Sequence, residues 1–343
     1  MNKEVSQRKA RALRFIVLMG LVSLFGDIVY EGARGVIGPY LALLGASAFA
    51  VGLVGGLGEF IGYALRLLSG FIADRTKAYW FFTFIGYGLI FSIPLLSFAN
   101  SWWVAALFII MERAGKAFRS PARDTILSYA TKEVGRGFGF GIHEALDQIG
   151  AIVGPLIFSF IIFFGGDYRA GFSILWIPAL IVIVILVIAR NQLPHPEKLE
   201  TSEEPEEKDS KIFSRVFILY SLFTFLSVAG FANFPLISYH LKIKSIMSDV
   251  QIPTFYALAM GVDAIVAILI GKAYDRVGLK TLMVIPLLSL FIPFLGFSNS
   301  IASVIIGVIL WGGVLGVHET IMRAAIADLT PISRRGSAYG IFN

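Results

Sequence analysis

ERAGKAFRSPARDTILSYATKEVGRGFGFGIHEALDQIGAIVGP, residues 112–155, joins two apolar runs and carries more charge than a lipid-facing helix accepts. Glu112, Lys116, Arg119 and Arg123 follow one another at spacings of four, three and four. At about 100° per residue they form one stripe of a helix. Beyond a short basic turn comes Gly141, then Gly150, then Gly154-Pro155, with His143, Glu144 and Asp147 set among them. Ionisable groups at membrane depth are expensive and face a bundle interior or a watery cavity. This stretch therefore predicts a cavity inside a bundle of membrane helices.

Composition agrees. Of 343 residues, 57% are hydrophobic and 15% charged, and mean hydropathy is +0.78. Soluble domains average about 25% charged residues, so the chain reads as all-α and polytopic, with the lipid bilayer as its surroundings. The apolar runs do not alternate, which excludes membrane strands. There is no cysteine, hence no disulfide and no thiolate metal site. A net charge of +6 would suit nucleic acid in a soluble protein. Here the basic residues lie in loops, where they set topology, and no nucleic-acid partner is expected. The first apolar run, from Phe15, reads as a retained helix rather than a cleaved leader.

Ten helices are predicted: 14–42, 48–73, 78–98, 102–120, 136–164, 168–189, 212–240, 252–273, 279–298 and 301–322. The basic start, with Lys3, Arg8, Lys9, Arg11 and Arg14, predicts a cytoplasmic N-terminus in the plasma membrane. Alternate loops agree: Arg75 and Lys77, Lys132 and Arg136, and Arg276 and Lys280 fall on that side, whereas the loops near 45, 99 and 299 hold no Lys or Arg. Residues 191–211 are acidic, contain proline and lack aromatics, as a flexible linker does. The domain reading is an N-terminal bundle over 1–190, this linker, and a C-terminal bundle over 212–343.

The chain repeats. GFIADRTK at 70–77 recurs as GKAYDRVG at 271–278 (271 − 70 = 201), and TKEVGRGFGFGI at 131–142 recurs as TPISRRGSAYGI at 330–341 (330 − 131 = 199). Parallel repeats of this size are a transporter design. The second copy stops at the start of its fifth helix, which reads as a fragment of a twelve-helix protein, with a ten-helix protein ending in a stub as the alternative.

With these residues in place, the chain resembles the major facilitator superfamily of secondary transporters. Gly271, Asp275, Arg276, Gly278 and Lys280 keep the family's G-x-x-x-D-R-x-G-x-K loop intact. Gly70, Asp74 and Arg75 keep its first half, after which Thr76-Lys77-Ala78 departs from the pattern. The resemblance implies that these two loops act as cytoplasmic gates. Asp275 would face the start of helix 5 and Asp74 an eleventh helix that the chain lacks. Gly141, Gly150, Gly154 and Pro155 are similar to the helix-5 hinge of the family's proton-coupled antiporters. Ordinary small-residue packing is the alternative for that spacing.

Depth in the membrane sorts the charges. At about 1.5 Å per residue and about 30 Å of hydrocarbon, the midplane lies about ten residues into each helix. That places Glu59, Asp263, Glu144 and Asp147 near the middle. Asp27 and Glu31 lie further out on helix 1, with Arg34 beyond them. Arg66 and Lys116 are expected to partner Glu59 and Glu112. Arg119 and Arg123, beside Pro121, are candidate substrate- or proton-binding groups, with snorkelling to headgroups or a grip on linker and loop carbonyls as the alternative. HEALD at 143–147 misses H-E-x-x-H because Asp147 replaces the second His, so no metal and no cofactor is expected, and no enzyme activity. His143 with Glu144 suits proton handling better.

The expectation is a monomeric carrier working by alternating access and coupled to H⁺. Acids outnumbering bases at mid-depth favour efflux of a cationic or amphiphilic small solute by antiport. Uptake of an organic anion or zwitterion through Arg34, Lys116 and Arg119 is the alternative, and a non-transporting sensor or inactive remnant is the third reading.

Overall fold

The computed structural model describes residues 2–34, 36–196, 215–229 and 251–342, with isolated positions between 231 and 247. Among the described residues every regular element is helical and none is a strand. In order these are α1 (Asn2–Arg34), α2 (Ile37–Leu43), α3 (Ala48–Thr76), α4 (Tyr79–Gly88, prolonged by 3-10 turns to Phe98), α5 (Trp102–Val134), α6 (Arg136–Phe163), α7 (Tyr168–Ile174) and α8 (Trp176–Gln192). After the linker come α9 (Arg215–Ala229), α10 (Gln251–Val277), α11 (Val284–Ser289), α12 (Ile292–Gly296), α13 (Ile301–Leu329) and α14 (Arg335–Phe342). The predicted linker is described only to residue 196, and helix 212–240 only in part.

Seven helical segments among the described residues are long and apolar enough to cross a membrane. The difference from ten has local causes. α5 has Glu112, Arg113, Lys116 and Arg119 within its first eighteen residues, too polar for that measure. The described part of α9 has 15 residues. Leu258–Gly296 counts once, although Gly278 turns the chain inside it with φ +64°.

The main correction concerns α5. It was expected to stop near Ser120, before a basic turn, and instead runs on to Val134. The turn is one residue, Gly135, at φ +103°. Proline inside a helix removes the amide that would serve the carbonyl four residues back. For Pro121 that carbonyl is Ala117 O, and the Ser69 hydroxyl of α3 donates to it at 2.7 Å. A neighbouring helix thus supplies the missing bond. The continuation is buried throughout, from Ser120 to Thr131.

Glycines fix how the helices meet. A Cβ on Gly20 would strike Leu146, one on Gly150 the Leu24 carbonyl, and one on Gly154 the Gly32 backbone. Positions on α1 and α6 rise together, so these two helices run parallel. Across the repeat the sense reverses. Gly137 meets Gly271 and Gly141 meets the Ala267 carbonyl, an antiparallel crossing of α6 and α10. Gly336 meets Gly70 and Gly340 meets the Arg66 carbonyl, the same crossing made by α14 and α3. The partners match at the repeat offsets (267 − 66 = 201; 340 − 141 = 199). Small residues let the backbones touch at both crossings.

Candidate functional site

A cavity of about 520 Å³ lies between the helices of the two repeats. Small-molecule sites typically occupy about 300–1,000 Å³. From the first repeat it receives Asp27, Tyr30, Glu31 and Arg34 of α1, Tyr63 and Arg66 of α3, Arg113, Lys116, Arg119 and Arg123 of α5, and Asp147 and Gln148 of α6. The second repeat supplies Thr224, Val228, Tyr256, Met260, Leu315, His318, Glu319, Met322, Arg323 and Phe342. Seven Lys or Arg side chains face four Asp or Glu, so the acid excess expected at mid-depth does not hold at the cavity surface.

The predicted residues divide into three groups. Asp27, Glu31, Arg34, Arg66, Lys116, Arg119, Arg123 and Asp147 line the cavity. Glu112, His143, Glu144 and Asp263 lie buried behind it. The side chain of Glu59 falls outside the described residues.

Partners also differ from expectation. Glu112 pairs with Arg119 at 3.5 Å, both buried, and not with Lys116. Two turns of helix separate them, so the first and third members of the stripe meet along one face. Arg123 binds Asp124 and the Ser23 hydroxyl, each at 2.9 Å, which replaces both the snorkelling and the loop-carbonyl readings. Arg34 pairs with Glu31 at 3.3 Å. Lys116 and Arg66 form no ion pair among the described residues. They rest on aromatic faces instead: Lys116 Nζ lies 3.8 Å from the Tyr30 ring centre and Arg66 Cζ 5.1 Å from that of Tyr63.

Two residues not proposed as binding groups complete the arrangement. Arg323 of α13 donates to Glu144 Oε2 of α6 at 2.9 Å and to Glu319 Oε2 at 2.7 Å, joining the repeats through a buried carboxylate. Arg113 donates to the Tyr30 hydroxyl. The repeat carries a signal for Arg323, because one residue of slack in the 199 offset sets it opposite Arg123 (323 − 123 = 200). Tyr30 left no such signal, since an aromatic on an apolar helix reads as packing.

In and behind the cavity wall several polar atoms lack partners. Both ring nitrogens of His143, both carboxyl oxygens of Asp263 and Asp147 Oδ1 are buried without a hydrogen bond. Glu144 is fully buried and also accepts from Gln148 Nε2 at 2.7 Å. No group of three His, Cys, Asp or Glu among the described residues could hold a metal ion.

Below the cavity, on the face where α1 begins, two carboxylates clamp two helix starts. Asp275, at the end of α10, accepts from the Gly137 and Phe138 amides of α6, both at 2.8 Å. Asp74, at the end of α3, accepts from the Gly336 and Ser337 amides of α14 at 2.8 and 2.6 Å. The first amides of a helix have no partner within it, and its dipole favours an anion there. Each carboxylate therefore caps a helix of the other repeat. The chain holds enough of the helix beginning at Arg335 to make the second clamp, a contact expected to be missing. Arg136 of α6 adds an ion pair of 2.5 Å to Asp328 of α13.

The model of the Major Facilitator Superfamily matches residues 17–343. Rv2265, an uncharacterized protein of Mycobacterium tuberculosis, is 40% identical over 337 residues, covering 96% of this chain and 82% of the relative. An MFS-type transporter of Methanocaldococcus jannaschii, MJ1317, is 28% identical over 339 residues, covering 95% and 83%. Among solved structures, the human organic anion transporter MFSD10 superposes with a TM-score of 0.71 at 13% identity, over 97% of this chain and 89% of that one. At that identity the likeness concerns the fold.

Proposed function

The chain belongs to the major facilitator superfamily of membrane transporters, and we propose that it moves a small organic solute by alternating access, with H⁺ as coupling ion. The observation that carries this reading is one cavity lined by both repeats and closed on one face by two matching clamps. In the proposed layout, residues 1–190 and 212–343 belong to two helical bundles that rock about the cavity. The N-terminus, the linker at 191–211 and both clamps face the cytoplasm, the protein is a monomer in the plasma membrane, and Pro155 with Gly141, Gly150 and Gly154 forms the hinge of α6.

Asp147 is the proposed proton carrier. It lines the cavity, while its Oδ1 has no partner. A buried carboxylate oxygen left without a donor, on a group that also meets the cavity, gives a proton a place to arrive and to leave. Glu144, beside it and bound to Arg323 across the repeats, would carry the change of charge to the contact between bundles. Proton antiport with efflux of a cation was the first expectation. Seven cations against four acids in the lining favour the second, movement of an anion or zwitterion with protons.

The test uses the purified chain in liposomes with an imposed pH gradient and a trapped pH dye. Solute-triggered collapse of the gradient is expected, and Asp147→Asn should abolish it while retaining solute counterflow. Unchanged proton movement in that variant would remove Asp147 from the mechanism. Counterflow with no proton movement in the native chain would make it a uniporter.

A further inference from the structure

The two sides of the cavity differ in kind. Nine charged side chains come from the first repeat, six of them cations. The second repeat contributes two charged side chains, Glu319 and Arg323, and these pair with each other at 2.7 Å. The rest of its contribution includes Val228, Met260, Leu315, Met322 and Phe342. Four of the cavity's cations are matched inside the protein: Arg34 by Glu31, Arg119 by Glu112, Arg123 by Asp124, and Arg323 by Glu144 and Glu319. The seventh cation besides Lys116 and Arg66 is Arg113, which donates to the Tyr30 hydroxyl, and Lys116 and Arg66 stand apart. They sit on neighbouring helices, both line the cavity, both lie over a tyrosine ring, and neither has an acid within ion-pair distance among the described residues. The buried Arg66 Nε also lacks any hydrogen-bond partner.

We propose that Lys116 and Arg66 form a subsite for the anionic head of an amphipathic solute, with the solute's apolar body lying against Met260, Leu315 and Met322. This deepens the transporter reading and rests on it for the claim that the ligand is cargo. Tyrosine faces hold cations by their quadrupole without neutralising them. Both cations face one cavity without a paired acid among the described residues, and an incoming carboxylate or sulfonate supplies that countercharge while accepting their N–H donors. Arg66 offers a planar fork and Lys116 a point charge, which together suit a carboxylate better than a spherical ion. The nearby acids, Asp27 and Glu31 on α1, set an upper limit on the ligand's charge. Glu31 is occupied by Arg34 and Asp27 shares the cavity wall, so a monoanion fits the balance. An apolar wall opposite the head rewards a ligand with an aromatic or alkyl body.

Titration calorimetry on the purified chain in detergent tests this with four probes: 2-naphthoate, its cationic counterpart 2-naphthylmethylammonium, neutral 2-naphthamide, and acetate. Naphthoate should bind at least tenfold more tightly than each of the others. Lys116→Met and Arg66→Met should each weaken naphthoate at least tenfold, and Lys116→Arg should restore most of the loss. Leu315→Ala should weaken naphthoate and leave acetate unchanged. Unfolding temperature is recorded for every variant, and a variant that fails to fold is replaced by Lys116→Gln or Arg66→Gln at the same position. Tighter binding of the ammonium probe, or naphthoate affinity unchanged in both charge-removing variants, would overturn the subsite. Counterflow of labelled naphthoate separates the two readings. Binding without flux breaks the transporter reading and leaves the subsite standing. Flux of a cationic solute by a chain that does not bind naphthoate breaks the subsite and leaves the transporter.

Discussion

The two clamps share a plan and differ in their surroundings. The second copy of the loop motif is intact, from Gly271 to Lys280, yet its Asp275 is exposed and holds two amides. The first copy is degenerate, yet its Asp74 is only 6% exposed and takes a third hydrogen bond, from the Tyr79 hydroxyl at 2.9 Å. The repeat offset sets Lys77 opposite Gly278 (278 − 77 = 201). Both adopt the left-handed backbone, at φ +55° and +64°. The motif's glycine thus marks a conformation, and the degenerate copy keeps the conformation with a residue that strains to reach it. Motif completeness reports how easily the loop turns. Burial and extra donors decide how firmly it holds.

Removing each carboxylate is the largest test of this contrast. Asp74→Ala leaves three donors without an acceptor in a buried place, at about 3 kcal/mol. Asp275→Ala removes an exposed cap, at about 1 kcal/mol. Thermal unfolding of the solubilised protein should show the first variant losing clearly more than the second, and equal losses would break the contrast.

An exchange at the turn comes next. Left-handed geometry costs a residue with a side chain about 1–2 kcal/mol. Lys77→Gly should therefore raise stability by about 1 kcal/mol, less a small loss from the Lys77 Nζ bond to Ser333 O at 3.2 Å. Gly278→Lys should lower it by a similar amount in the same unfolding assay. The smallest effect is expected for Tyr79→Phe, about 1 kcal/mol or less for one hydrogen bond of three. A loss as large as that of Asp74→Ala would mean the hydroxyl, and not burial, distinguishes the clamps.

Much of this was legible beforehand. The repeat and the paired aspartates were readable because each sits at a helix end with its glycines at fixed spacing. The extent of α5 was not, because Pro121 reads as a local break. Its rescue by Ser69 comes from a helix about fifty positions away in sequence, which periodicity does not register. The partners of Glu112, Lys116 and Arg66 were misjudged for a related reason. Depth along a helix axis locates a charge, but which cation turns towards which acid depends on rotation about that axis and on aromatic faces such as Tyr30. The cavity's charge balance changed sign for the same reason, since Glu144 and Asp263 are deep yet face away from its surface.

The glycine crossings beneath the cavity have an electrical consequence. Where Gly137 meets Gly271 and Gly70 meets Gly336, backbone lies on backbone with no side chain between, and a gap that holds a water needs about 10–15 Å³. At both crossings the contact leaves no room for water, so an ion gains no path there under a membrane voltage worth about 2.3 kcal/mol per unit charge for each 100 mV. A single methyl group at Gly137 would meet the Gly271 carbonyl and pry the crossing apart, and ion leak through liposomes carrying Gly137→Ala is the expected readout.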